Sequence, residues 1–108
     1  MSYEQGTAIA TARKNVQITS SDGKVNLDSV TVSRDGGDEV TWVSDGTRKA
    51  LIVFASPDGS PFQETHFHVP AGGSISSGPA RSDAAYKAYK YTVIGETGVN
   101  DPVVIVDQ

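Results

Sequence analysis

Period-two alternation of apolar residues, turn dipeptides at nearly regular spacing and the lack of any long amphipathic stretch predict an all-β protein. The pattern is that of an antiparallel β-sandwich of about seven or eight short strands. At 108 residues the chain is long enough for one domain with a modest core. Its 37% hydrophobic and 20% charged residues match a folded globular protein rather than a disordered one.

Residues 1–14 are polar and small, a frayed tail or a first edge strand, and residues 15–108 read as a single sandwich domain. Val16 and Ile18 alternate with polar neighbours, Asp22-Gly23 follows, and then Val25 and Leu27 alternate again, which predicts a β-hairpin. Val30 and Val32 continue the period until Asp35-Gly36-Gly37-Asp38 breaks it. In Glu39–Val43, Val40 and Trp42 share one face, and Thr41 and Val43 the other. After the Ser44-Asp45-Gly46-Thr47 turn, Ala50–Ala55 is apolar on both faces, as expected of a strand buried on both sides. Ser56–Pro61 is a loop, Gln63–Val69 alternates, and Pro70-Ala71-Gly72-Gly73 stops that run. Ala84–Ala88 tolerates a helix but leads equally well into the strand containing Tyr89, Tyr91, Val93 and Ile94. A Gly95–Pro102 loop precedes the final strand, Val103–Val106, with Pro102 setting its start.

The net charge of −4 and the isolated basic pairs Arg13-Lys14 and Arg48-Lys49 argue against a nucleic-acid surface, which needs clustered cations. With no cysteine in the chain, disulfides, thiolate metal sites and cysteine nucleophiles are excluded. Met1-Ser2-Tyr3-Glu4-Gln5 lacks the basic start of a signal peptide, and no apolar run approaches the roughly 20 residues of a membrane helix. The expectation is a cytoplasmic protein with no membrane partner.

Three segments carry a family resemblance: Gly37-Asp38-Glu39-Val40-Thr41-Trp42, Leu51-Ile52-Val53-Phe54, and Tyr89-Lys90-Tyr91-Thr92-Val93 with Val103-Val104-Ile105-Val106. Together they resemble a cupredoxin of the plastocyanin type, which implies a Greek-key β-sandwich and, in most members, a type 1 copper site. That site takes two imidazoles, a thiolate and a weak axial group. By the resemblance, Ala50 stands where the first histidine would be and Val93 where the cysteine would be. Glu96 falls nearest the second histidine, and Asn100 or Asp101 nearest the methionine. Every ligand position is replaced, so the chain resembles a copper-free member, and type 1 electron transfer is excluded.

Of the remaining candidates for chemistry, Glu64, His66 and His68 stand at alternate positions, which on a strand places them on one face. Two imidazoles and a carboxylate suit Zn²⁺ or Cu²⁺; the competing reading is a solvated strand face, with Thr65, Phe67 and Val69 turned to the core. The His-x-His spacing also resembles that of cupins, but no glutamate follows it a few residues on. Gly72-Gly73-Ser74 lacks the lysine of a phosphate-binding loop, and Ser74, Ser76 and Ser77 lack a nucleophile elbow. Tyr89, Tyr91 and Trp42 read as core. Loops at one end of a rigid sandwich are where such scaffolds place recognition, and the cupredoxin topology gathers Asp45, Arg48, Lys49, Glu96 and Asp101 there. The sequence therefore predicts a non-enzymatic binding module without cofactor, acting on a protein partner through its end loops or a strand edge. The alternative is a Zn²⁺- or Cu²⁺-binding protein using Glu64, His66 and His68.

Overall fold

A computed structural model describes residues 13–19, 22–45 and 48–108. The expectations for residues 1–12, and for Gly46 and Thr47 of the predicted turn, fall outside the described residues. Eleven short strands make up the described fold, and among the described residues there is no helix. They are β1 (Arg13–Thr19), β2 (Lys24–Val25), β3 (Ser29–Ser33), β4 (Glu39–Ser44), β5 (Ala50–Val53) and β6 (His66–Val69). The chain continues through β7 (Ser74–Ser76), β8 (Ala88–Lys90), β9 (Thr92–Ile94), β10 (Val99–Asn100) and β11 (Val103–Asp107).

One layer has the order β2-β1-β4-β7. The ladders β3-β11-β8 and β10-β9-β5-β6 stand end to end, because Tyr91 alone separates β8 from β9 and Asp101-Pro102 separates β10 from β11. The Tyr91 N–H donates to the Pro102 carbonyl at 2.9 Å and carries the pairing across that junction. The β1–β2 hairpin forms as the Asp22-Gly23 signal predicts, with Ile18 opposite Val25 and Gly23 at φ +77°. Pairings are antiparallel except β1 with β4 and β3 with β11, which are parallel.

Period-two alternation becomes alternation of burial. In β4, Val40, Trp42 and Ser44 are buried while Glu39, Thr41 and Val43 are half-exposed. The core is aromatic at its centre: Trp42 meets Phe54, Phe62, Phe67 and Tyr91 with ring centroids 5.1–6.4 Å apart. Valines of β1, β3, β4, β9 and β11 fill the space around it. Tyr89 and Tyr91 are buried, as read, and residues 84–87 run irregularly into β8 rather than forming a helix. Three expectations need correction. Two strand pairs are parallel in a sandwich read as antiparallel, and a strand at Val99–Asn100 lies within the predicted Gly95–Pro102 loop. The third is that β5 is not buried on both sides. Ala50, Ile52 and Phe54 are buried, but Leu51 and Val53 are only partly covered, so β5 has one solvent-facing side.

Candidate functional site

At the end of the sandwich where the resemblance puts copper ligands, the inner face of the β10-β9-β5-β6 sheet is sealed. Register places Asn100, Val93, Ile52 and Phe67 in one row across the four strands. Val93 and Ile52 are fully buried in that row, and Ala50, opposite Val69, is 4% exposed. Methyl and isopropyl groups have no lone pair for a metal, so these positions supply packing instead. The loop that would hold the other ligands is occupied with local bonds. Asn100 Nδ2 donates to the Asp22 carbonyl at 3.2 Å, and Gly95 N–H donates to the Gly98 carbonyl at 2.8 Å. The β1–β2 turn presses on this loop so closely that a Cβ at Gly98 would meet the Asp22 carbonyl oxygen at 2.8 Å.

One residue out of phase, the same strands present a different row: Val99, Ile94, Leu51 and His68. Val99 is 61% and Ile94 37% exposed, and His68 is also exposed. Leu51, Ile94 and His68 form part of an open groove of about 840 Å³ whose other walls are Ala50, Pro70 and Ala71. Arg48, Lys49 and Glu96 rim it, and Arg48 and Glu96 close across the rim in a 2.7 Å ion pair between half-exposed side chains. Ser44 Oγ donates to the Arg48 carbonyl at 2.8 Å and fixes the backbone below that pair. Of the five predicted loop residues, Arg48, Lys49 and Glu96 thus meet at the groove. Asp45 lies beyond its lining, with its N–H bonded to the Ile18 carbonyl. Asp101 instead accepts from Thr92 Oγ1 at 2.9 Å.

Sequence reasoning missed Leu51 and Ile94 because it read the apolar runs around them as strands of the sandwich. It missed Val99 because it read Gly95–Pro102 as a loop, where the structure pairs Val99 and Asn100 with Ile94 and Val93. The one signal for the row was strand register, which a single sequence does not display.

His66 and His68 are exposed and alternate with the buried Phe67 and Val69, so they share the solvent face of β6. Thr65 Oγ1 lies 2.9 Å from His66 Nδ1. Glu64 and Thr65 are both exposed and precede β6, so the alternation stops short of Glu64. Among the described residues no group of three or more His, Cys, Asp and Glu side chains gathers as a metal site.

Elsewhere, polar side chains serve the fold. Ser77 Oγ donates to the Gly78 carbonyl and accepts from Val40 N–H, while Ser76 Oγ donates to Glu39 at 2.5 Å. Gly72, at φ +67°, completes the turn between β6 and β7. Trp42 Nε1 donates to Tyr91 Oη at 3.2 Å, and burial pushes the Tyr91 phenol up to about 12, with that bond acting in the opposite sense. At the surface, the hydrogen bond from Lys87 to Asp58 raises the Lys87 ammonium above its ordinary value. No helix among the described residues is long and apolar enough to cross a membrane.

No protein-family model matches the sequence, and no curated protein sequence does. Solved structures do. A purple cupredoxin from Nitrosopumilus maritimus superposes with a TM-score of 0.59 at 15% identity, over 87% of this chain and 99% of that one. A reduced Cu(I) form of an amicyanin variant at pH 4 gives 0.55 at 15% identity, over 91% of this chain and 85% of that one. An oxidised amicyanin variant gives 0.54 at 14% identity, over 95% of this chain and 87% of that one. At these identities the likeness is one of architecture, and the chain has the cupredoxin fold without the cysteine a type 1 site requires.

Proposed function

We propose that this protein is a non-enzymatic cupredoxin-fold module that binds a protein partner across the row Val99, Ile94, Leu51 and His68. The observation that carries the reading is the row itself: three apolar side chains and an imidazole held in register on four paired strands, with Val99, Ile94 and His68 exposed and Leu51 half-exposed. A rigid sheet presents such a surface with little ordering cost on binding. Its rim supports a particular partner chemistry. Lys49 is exposed and makes no ion pair among the described residues, whereas Arg48 and Glu96 neutralise each other. A segment with an apolar anchor beside a carboxylate fits both the groove and the Lys49 ammonium.

A photo-crosslinking residue at position 99, used in the cells that make this protein, tests the reading. One discrete partner adduct is expected, lost in Ile94→Lys and weakened in Lys49→Glu. An adduct pattern unchanged by both substitutions overturns it.

A further inference from the structure

β6 ends its sheet, and its outer edge carries a specific pattern. The Phe54 N–H donates to the Thr65 carbonyl at 2.8 Å, so Thr65 makes a hydrogen-bonded pair with the strand beside it. Antiparallel ladders alternate such pairs with unbonded ones. Phe67 and Val69 therefore turn their backbone groups toward β5, opposite Ile52 and Ala50. His66 and His68 turn theirs outward, to an edge that no other described strand covers. The two residues with outward backbone groups are thus also the two with exposed imidazoles.

An open edge of this kind accepts another strand. A second copy can meet it by two-fold antiparallel pairing about Phe67, with each His66 opposite the other copy's His68. Each histidine then exchanges both of its backbone hydrogen bonds across the new ladder, and the pairing stops at Pro70, which has no N–H to give. Directly opposite residues in such a ladder lie roughly 5.5 Å apart at Cα, and alternate residues of one strand roughly 6.8 Å apart. Four imidazoles stand at the corners of that rectangle, all on the solvent face. At a Zn–N distance of about 2.0 Å, they can converge on one ion above its centre. When His66 Nδ1 donates to Thr65 Oγ1, the Nε2 lone pair is left for the metal, the outer-sphere arrangement typical of ligating histidines. The charge balance favours a metal-dependent contact, since each copy carries a formal −4 and a divalent cation offsets part of their repulsion.

We infer that two copies of this chain pair through their β6 edges and bind one Zn²⁺ between their His66 and His68 side chains. This site shares His68 with the groove, whereas His66 lies outside it, so a substitution at His66 tests the zinc site apart from the groove reading. The test is sedimentation velocity and calorimetry on the chelator-treated full chain with added ZnCl₂. A monomer in chelator, a dimer with Zn²⁺, and one ion per two chains are expected. His66→Ala, a substitution at an exposed side chain, abolishes both the dimer and this stoichiometry, whereas Lys49→Glu leaves them intact. The inference is overturned by one Zn²⁺ per monomeric chain, by no change of mass with Zn²⁺, or by a dimer that forms equally in His66→Ala.

Discussion

Two rows of the same four strands, one residue apart, behave in opposite ways. Inward, Val93, Ile52 and Phe67 pack against the aromatic centre; outward, Val99, Ile94 and Leu51 present similar side chains to solvent. The residue types hardly differ, so side-chain chemistry does not explain the contrast. The inner row faces a second sheet, and no other described strand packs over the outer row. At two of the positions that the resemblance aligns with copper ligands, Ala50 and Val93 belong to the core, and the exposed apolar residues Ile94 and Val99 lie on the outside of the sheet.

The largest test of this contrast is at the centre of the inner side. Trp42→Ala removes the ring on which Phe54, Phe62, Phe67 and Tyr91 converge, and is expected to cost about 3–5 kcal/mol in chemical denaturation. Tyr91→Phe is expected to cost about 1–3 kcal/mol, because it leaves the buried Trp42 N–H without its acceptor. The same phenol sets an alkaline signature. Below pH about 10 it is protonated in both folded and unfolded chains and contributes no slope. Above that the unfolded chain loses the proton while the folded chain keeps it to about 12, so stability falls as pH rises through this window. The loss reaches roughly 2–3 kcal/mol at the upper end, and denaturation curves of Tyr91→Phe should lack it.

A double-mutant cycle on Arg48 and Glu96 should give a coupling of only about 0.2–1 kcal/mol, shrinking with salt, since both side chains are half in water. Val99→Lys should change stability least, by about 0.5 kcal/mol or less, while removing the apolar end of the outer row. A destabilisation as large as that of Tyr91→Phe would show that Val99 belongs to the core after all.

Much of the fold was legible because alternation and turn chemistry are local. A period of two placed Val40 and Trp42 on one face, which is the buried one, and Asp22-Gly23 marked a hairpin whose turn needs a positive φ. The parallel partners of β1 and β3 were not legible, since pairing between distant strands leaves no local trace. The candidate site was read less completely. Arg48, Lys49 and Glu96 came from the topology that the resemblance implied. The apolar floor was lost, because a strand apolar on both sides looks the same whether both faces are covered or only one. Leu51 illustrates the ambiguity: its neighbours Ala50 and Ile52 are buried, and it is not. The histidines were read as alternating on a solvated face and do so, yet the direction of their backbone groups depends on the β5 register, which the sequence does not carry.

The position of β11 has a kinetic consequence. It lies between β3 and β8, so its sheet lacks a central member until residues 103–107 have been placed. Its partner β3 begins at Ser29, far away along the chain, and closing so long a loop must precede most of the apolar contacts that reward it. Folding is therefore expected on the slow, millisecond-to-second scale of sandwiches dominated by distant contacts, with β3 and β8 exposing unpaired backbone while they wait. A nascent chain stalled before Val103 is the form of this protein most prone to aggregate.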